Sequence, residues 1–362
     1  MSTDQNEKKR PEIFSAGRFS PVQEMEVFKV TADKSVRKIL LKRKDGKAAN
    51  AFKAGQYLSL QSRIGTSLVA RPYSIYTSPK LAEEGFYGIA VEDFPGAFAG
   101  HWFGQLKEGT TVRVAAPLGN FVPDGQKEII ALAGGSGITP FLSMAAAIAD
   151  GELDLDLTIL YGNTSREAEM LQEEIAALQE ASERVKVISV YSEEKDKEAE
   201  SGFPDARLVK KYARGDYEVW ACGPGPMYDF LKEDLPQLGL PAARIRMEMS
   251  AVTKDPELLP GYPPEAIGER YTVKVLGLQD VYTISALAHE PLSATLERAA
   301  LPFQTHCRSG VCGWCSALLE EGEVYCPSAS EFRSEKERFE GKIRLCTSFP
   351  LSDCVVRLDG EE

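Results

Sequence analysis

The sequence lacks a segment that would direct it to a membrane or out of the cell. Residues 1–12 are polar and basic, and no apolar signal-peptide core follows them. The uncharged stretch Ile129–Ala149 is long enough to cross a bilayer, but Gly134–Gly137 and a Thr-Pro pair interrupt it. Glycine and proline favour a strand, a turn and a helix here. We therefore expect a cytoplasmic protein without a transmembrane segment, with residues 1–21 as an N-terminal tail.

The chain also lacks an excess of positive charge and has few histidines. It contains 42 Lys and Arg against 54 Asp and Glu, for a net charge of −12. Nucleic-acid binding is not expected, because the phosphate backbone favours proteins with clustered basic side chains. The three histidines, His101, His289 and His306, suggest no general acid–base dyad, and we expect them to be structural.

Length and hydrophobic rhythm predict a multidomain protein. A chain of 362 residues is too long for one ordinary core. Short alternating strands in 22–125 predict a small antiparallel β-barrel. Apolar strands that alternate with helical patterns in 126–250 predict an α/β doubly wound domain with a parallel sheet. A proline-rich stretch, 251–268, is typical of a linker. Residues 269–362 then predict a small α+β module.

The cysteines are odd in number and lie mostly near the C-terminal end: Cys222, Cys307, Cys312, Cys315, Cys326, Cys346 and Cys354. Such a set does not fit a secreted disulfide framework, and in a cytosolic chain it indicates metal ligands or a redox site. Four of them follow the spacing C-x₄-C-x₂-C…C, which is that of plant-type [2Fe–2S] ligation. A Cys₄ zinc site is the alternative, but it more often shows two C-x₂-C pairs.

Three further motifs point to nucleotide cofactors. Arg71-Pro72-Tyr73-Ser74 offers a phosphate-binding guanidinium, a flat ring and a hydroxyl. Gly134-Gly135-Ser136-Gly137-Ile138-Thr139-Pro140 follows an apolar strand and opens a helix, which presents free N–H groups to a diphosphate. Cys222-Gly223-Pro224 ends another predicted strand before a helix that carries Met227, at the sheet edge where ligands bind. A further helix is predicted over Ser165–Ser182.

Taken together, these motifs resemble the ferredoxin–NADP⁺ reductase superfamily, and Cys-Arg-Ser-Gly-Val-Cys-Gly-Trp-Cys resembles the cluster loop of plant-type ferredoxins. The resemblance covers most of 22–362 and extends to reductase components of multicomponent oxygenases. It implies a flavin-binding barrel, a nicotinamide domain and a β-grasp-like ferredoxin domain. It also implies hydride transfer from NADH or NADPH to FAD, with FMN as the alternative, and single-electron transfer to the cluster.

The resemblance assigns roles to particular residues. Arg71 would contact the flavin phosphate, Tyr73 would pack on the isoalloxazine, and Ser74 would lie near N5. Ser74, Cys222 and Glu248 would form the catalytic centre. The other implied cofactor-binding residues are Pro72, Val91, Gly96, Ala97, Ala99, Gly134, Gly135, Gly137, Thr139, Pro140, Gly223, Pro224 and Met227. Cys307 and Cys312 would hold one iron, and Cys315 and Cys346 the other. Cys326 and Cys354 fall outside the pattern and are expected to be ordinary core or surface residues.

Two questions stay open in the sequence. Arg166 follows the second strand of the predicted sheet and could meet the 2′-phosphate of NADPH, or it could be an ordinary exposed residue; NADH is favoured. The electron acceptor could be a Rieske oxygenase, a demethylase, another oxygenase, a hydroxylamine-reducing cluster protein or a separate carrier. A non-catalytic electron-transfer subunit of a larger dehydrogenase is the alternative function. Ser250 stands where the resembled family often has an aromatic residue, and Ala99 where it has a hydroxyl.

Overall fold

The structure is a computed structural model that describes residues 22–34, 36–64, 67–92, 105–249, 255–277, 280–301 and 303–358. Gly96, Ala97, Ala99, His101 and Ser250 lie outside these ranges. Within the described part of the chain, no helix is both long enough and apolar enough to span a membrane.

The first unit is the predicted antiparallel barrel. Its strands are β1 Val22–Asp33, β2 Val36–Arg43, β3 Tyr57–Ile64, β4 Ser67–Ser74, β5 Phe86–Glu92 and β6 Thr111–Leu118. They pair in the order β4-β3-β6-β1-β2-β5, always antiparallel. A bridge between Ile75 and Ile89 joins the end of β4 to β5 and closes the barrel. Alternate residues such as Leu58 and Leu60 fill its interior, as the period of a strand requires.

The second unit is the predicted doubly wound domain. Its strands are β7 Glu128–Gly134, β8 Asp156–Asn163, β9 Val185–Tyr191, β10 Glu200–Ser201, β11 Tyr217–Gly223 and β12 Ile245–Met249. All pair in parallel, in the order β10-β9-β8-β7-β11-β12. Its helices are α1 Thr139–Ala149, α2 Gln172–Ala181, α3 Ala206–Tyr212 and α4 Gly225–Asp234. Residues of α1 and α2 share one core cluster and those of α3 and α4 another, so helices cover both faces of the sheet.

Helix α2 is shorter than the sequence pattern predicted. It begins at Gln172 rather than near Ser165. Leu171 adopts a left-handed backbone conformation with φ 61°, which an α-helix cannot continue through. The Leu171 N–H donates to Asp33 Oδ2 of the barrel at 2.8 Å. A contact between domains therefore fixes the turn that precedes the helix.

The third unit is a mixed α+β module. Strands β13 Arg270–Leu276, β14 Val281–Leu287, β15 Ser316–Glu321, β17 Lys342–Arg344 and β19 Cys354–Leu358 form one sheet, and β16 Val324–Tyr325 pairs with β18 Phe349–Pro350. Its helices are α5 Leu292–Arg298 and α6 Glu335–Phe339. Within the predicted linker, Tyr262 and Ala266 pack against Phe349 of this module. The domain boundaries stay a prediction.

The barrel and the doubly wound domain share a core at their junction. Ala54 and Phe121 of the barrel side belong to the same buried cluster as α1. The Phe121 ring lies 4.7 Å from the Trp220 ring and 5.7 Å from the Phe141 ring, centroid to centroid. The first two units therefore pack directly against each other at this junction.

Candidate functional site

The nicotinamide motif lies at the switch point of the parallel sheet. Strands β7 and β11 are neighbours whose following helices pack on opposite faces, and ligands of such sheets bind outside the carboxyl ends at this point. Gly134 ends β7 and Gly223 ends β11. The structure therefore brings together the two motifs that sequence placed about ninety positions apart.

The glycines of this turn are required by close packing. A Cβ added to Gly137 would lie 2.1 Å from the Cys222 carbonyl oxygen. One added to Gly223 would lie 2.5 Å from Met227 Sδ, and one added to Gly134 would lie 2.9 Å from the same sulfur. Only glycine lets the start of the helix approach β11 this closely. Gly135, by contrast, is half-buried, and there is open space where an added Cβ would lie. Its φ of +51° is in the left-handed region.

The remaining predicted nicotinamide residues differ in exposure. Thr139 and Pro140 are buried in the first turn of α1, and the Thr139 hydroxyl donates to the Ser136 carbonyl at 2.8 Å. Pro224 is exposed and Met227 is half-buried. Of these residues and their neighbours, Gly135, Ser136 and Pro224 are accessible, whereas Thr139 is buried.

Cys222 and Glu248 are brought side by side by a strand that the sequence did not predict. Strand β12 pairs with β11 so that Cys222 is opposite Glu248, and partners in a parallel pair point to the same face. That face also carries Ala133 and the buried ring of Trp220, and it is turned toward the barrel. Cys222 is fully buried, whereas Glu248 is half-buried.

Tyr228 holds this arrangement together and was missed in the sequence. Its hydroxyl accepts the Gly223 N–H at 2.9 Å and donates to the Glu248 carbonyl. The side chain is 1% exposed. One phenol on α4 thus ties the end of β11 to β12 and fixes where Glu248 enters the site.

The Glu248 carboxyl is held in its neutral form. Burial raises its pKa to about 8, and negative charge at Cys307 adds to the effect. At neutral pH the group therefore keeps its proton, unlike an ordinary glutamate. A neutral carboxyl can donate a hydrogen bond or a proton to a bound ligand.

Strand β4 presents the predicted flavin residues on two faces. Because side chains alternate along a strand, Arg71 and Tyr73 share one face, and Pro72 and Ser74 share the other. Burial raises the pKa of the Tyr73 phenol, so it stays neutral, with Arg71 and Arg308 opposing the shift. Val91 is fully buried in the barrel core, so a contact from it would come from its backbone.

Tyr57 is a second residue that the sequence did not single out. It pairs with Ser74 across the β3–β4 hairpin. A Cβ added to Gly119 would lie 2.8 Å from the Tyr57 ring and 3.6 Å from Glu248 Oε1, so the bare glycine separates these two side chains. Burial raises the pKa of Tyr57, with further contributions from negative charge at Cys307, Cys312 and Glu248. Tyr57 therefore lies between three parts of the molecule. They are β4, which we call the flavin strand, Glu248, and the stretch 306–315, which we call the cysteine loop.

The four predicted cluster ligands come together in the third unit. The Cys315 and Cys346 sulfurs lie 3.3 Å apart, and the Cys312 N–H donates to Cys307 Sγ at 3.3 Å. The Cys307 thiol is also within hydrogen-bonding reach of the Cys312 and Cys346 thiols. The contacts thus link the cysteines in the order Cys312, Cys307, Cys346 and Cys315. The first two and the last two are the pairs expected to hold one iron each. The donor set fits a [2Fe–2S] cluster in type and number.

Other features of the cysteine loop agree with this assignment. Gly310 has φ +82°, and an added Cβ would lie 2.9 Å from the Ser330 carbonyl oxygen. His306 packs edge-to-face on Trp314 with ring centroids 4.9 Å apart. Apart from these features, no group of three or more His, Cys, Asp or Glu side chains in the described part of the chain is arranged so that it could hold a metal ion.

The two remaining cysteines of this unit have other surroundings. Cys354 is buried in the core of the module, and its sulfur lies near the Glu323 and Ser352 carbonyls. Cys326 is half-buried near the Thr347 hydroxyl. Their contacts are those of ordinary packed thiols.

Three domain families match the chain in sequence. The oxidoreductase FAD-binding domain matches residues 25–122, the oxidoreductase NAD-binding domain residues 131–233, and the 2Fe-2S iron-sulfur cluster binding domain residues 279–351. The chain is therefore an NAD(P)H-dependent oxidoreductase whose cofactors are FAD and a [2Fe–2S] cluster.

Known proteins resemble this chain over half of its length or more. The ferredoxin reductase component of 3-ketosteroid-9-alpha-monooxygenase from Mycobacterium tuberculosis is 28% identical over 84% of this chain and 84% of its own length. NADH-cytochrome b5 reductase 1 from Candida glabrata is 30% identical over 52% of this chain and 70% of its own length. The structure of phthalate dioxygenase reductase superposes with a TM-score of 0.69 and 22% identity, covering 94% of this chain and 98% of that one. The chain belongs to the ferredoxin–NADP⁺ reductase superfamily, in the form that carries a plant-type [2Fe–2S] domain after its nicotinamide domain.

Proposed function

We propose that this reductase passes electrons from NADH through FAD and its [2Fe–2S] cluster to a separate oxygenase protein. The relatives support an oxygenase as the partner, since several are named as the reductase parts of monooxygenases. The single observation that carries the proposal is the orientation of the cysteine loop, which has one side buried against the barrel and the other open.

The two sides of the cysteine loop differ in burial. Cys307, Arg308 and Ser309 are buried, and the Arg308 guanidinium donates to the Ala70 carbonyl of the flavin strand at 2.7 Å. Val311, one position before Cys312, is 41% exposed. Electrons would therefore enter the cluster from the barrel side and leave near Val311, where an outside protein can approach.

Each cofactor contributes a different step. A bound flavin accepts two electrons as hydride and releases them singly, which a nicotinamide cannot do. The chain's own residues would orient the two cofactors and exclude water from them. The Gly134–Gly137 turn would hold the dinucleotide, and Tyr57 and Ser74 would line the flavin side. Neutral Glu248 would keep a proton at its carboxyl beside the hydride-transfer site.

The exit surface can be tested by placing opposite charges at Val311. With cationic cytochrome c as acceptor, we expect V311D to speed reduction and V311K to slow it, each several-fold at low salt, because local charge steers association. The difference should shrink at high salt. The pair V281D and V281K is the matched control, because Val281 is an exposed valine of the same module outside the loop. Equal rates for V311D and V311K would place the exit elsewhere.

The choice of NADH rests on the surroundings of Arg166. Its guanidinium lies 3.3 Å from Asp196 and 3.6 Å from Glu198, and its backbone N–H donates to Glu194 at 2.9 Å. Arg166 follows β8, on the side where a dinucleotide ribose would approach. Two carboxylates at the guanidinium and a third at the backbone N–H of the same residue repel a 2′-phosphate, so NADPH is disfavoured.

Removing the acidic partners should change this preference. We expect D196N/E198Q to raise kcat/KM for NADPH relative to NADH by about fivefold, a modest gain because these pairs are exposed. Adding R166A to the double variant should cancel the gain. Steady-state kinetics with both donors measures the ratio, and a wild-type protein that uses NADPH as well as NADH would refute the assignment.

A further inference from the structure

A cluster of three charged side chains joins the flavin strand to the ferredoxin module. Arg71 of β4 and Arg308 of the cysteine loop both contact the carboxylate of Glu297 on α5. Arg71 Nη1 lies 3.2 Å from Glu297 Oε2, and Arg308 Nη2 is in direct contact with Glu297 Oε1. We call this the Arg71–Glu297–Arg308 cluster.

The cluster is buried and anchored to the backbone of β4. The side chains of Glu297 and Arg308 are 6% and 2% exposed. The Ala70 carbonyl accepts from both guanidinium groups, from Arg71 Nη1 and from Arg308 Nε, each at 2.7 Å. The ferredoxin module thus docks on β4 through specific hydrogen bonds.

Arg308 also ties this docking to the iron–sulfur ligands. It directly follows Cys307 in sequence and adopts φ 57°, a left-handed conformation that L residues rarely take. Strained backbone of this kind persists where surrounding contacts fix it. The bonds of Arg308 to Glu297 and Ala70 are such contacts, so they set where the first ligand lies relative to β4.

Arg71 has spare hydrogen-bond donors beside this cluster. Two guanidinium groups share the Glu297 carboxylate, and Arg308 also has the negative charge of Cys315 and Cys346 beside it. Within the described ranges, Nε and Nη2 of Arg71 make no hydrogen bond, and this side chain is 22% exposed. Arg71 is also the residue expected to bind the flavin phosphate. One guanidinium can therefore contact Glu297 with one nitrogen and a phosphate with the others.

We propose that Glu297 and Arg308 are positioning residues for electron transfer, and that Arg71 makes the seating of the ferredoxin module depend on bound flavin. A phosphate held by Nε and Nη2 of Arg71 would fix this guanidinium where its Nη1 contacts Glu297, so flavin binding strengthens the docking that brings the cysteine loop to β4. This inference rests on the proposed function, in which electrons pass from flavin to cluster.

The test is the full-length E297Q variant, which keeps the size of the side chain and removes its charge. We expect NADH to reduce its flavin at the wild-type rate, while the flavin-to-cluster step, followed by stopped-flow absorbance, slows at least tenfold. Iron and sulfide content and the EPR spectrum of the chemically reduced cluster should not change. E297D should recover part of the rate. E290Q is the matched control, because Glu290 pairs with Arg298 within the same module.

A second readout needs no turnover. By small-angle scattering, removing FAD from the wild type should increase the radius of gyration, and E297Q should be expanded with or without FAD. If E297Q does not fold, R308K takes its place. This variant keeps the positive charge but loses the bond from Arg308 Nε to the Ala70 carbonyl, and it should slow the same flavin-to-cluster step.

The outcomes separate this inference from the proposed function. Wild-type rates and dimensions in E297Q, or in R308K where E297Q does not fold, would overturn the positioning role. A wild-type protein whose flavin never reduces the cluster would instead overturn the proposed function.

Discussion

Replacing Cys312 with serine will leave the flavin reducible by NADH but stop electrons from travelling further. Cys312 is half-buried in the cysteine loop, and its N–H donates to Cys307 Sγ. A hydroxyl is a poor substitute for thiolate at iron, so the variant should lose its cluster. We expect cytochrome c reduction to fall by about 100-fold. The rate of NADH-driven flavin bleaching should stay within twofold of wild type, at roughly the same flavin content.

The matched control is Cys326→Ser, since Cys326 is a half-buried thiol of the same module outside the ligand set. It should keep both iron and turnover. If C312S retained full iron and sulfide while C326S lost them, the ligand assignment would be wrong.

The second large effect concerns pH. The pKa of Glu248 is raised to about 8 by burial and by nearby negative charge, so the carboxyl is mostly protonated at pH 7 and ionises as pH rises through 8. Ionisation of Glu248 would put a negative charge beside the bound flavin, which must accept electrons, and this charge disfavours its reduction. We therefore expect the rate of NADH-driven flavin reduction to fall roughly tenfold between pH 7 and pH 9.

E248Q carries a permanently neutral side chain of the same size. Its rate should stay within a few fold of the wild-type value at pH 7 and should show no inflection near pH 8. E233Q, a change at an exposed glutamate of α4, should keep the wild-type profile. A profile with the same inflection in E248Q would assign the ionisation to another group.

The features that sequence predicted are those carried by contiguous residues. The spacing from Cys307 to Cys315 predicts three of the four cluster ligands, because that loop is local in the chain, and the structure brings the distant Cys346 to them. The strand–turn–helix around Gly134–Gly137 is also local, and its glycines are needed where a Cβ would meet Cys222. The barrel and the doubly wound sheet followed from the two hydrophobic periods.

The features that sequence could not predict depend on distant partners. Only the resemblance grouped Glu248 with Cys222, and the strand pairing of β11 with β12 that places them side by side was not predicted. The contact of Arg71 with Glu297 joins positions 226 apart in the chain. The start of α2 depends on Asp33 in another domain. In each case the local pattern allowed several answers, and a tertiary contact selected one.

Anaerobic mixing of the purified wild-type protein with NADH tests the account most directly. Flavin and iron–sulfur bands are followed together, and iron, sulfide and flavin are assayed in the same sample. We predict about one flavin, two irons and two sulfides per chain, with the flavin bleaching first and the cluster following at a rate independent of protein concentration. Zinc in place of iron and sulfide, or a cluster that stays oxidised after the flavin is reduced, would contradict it.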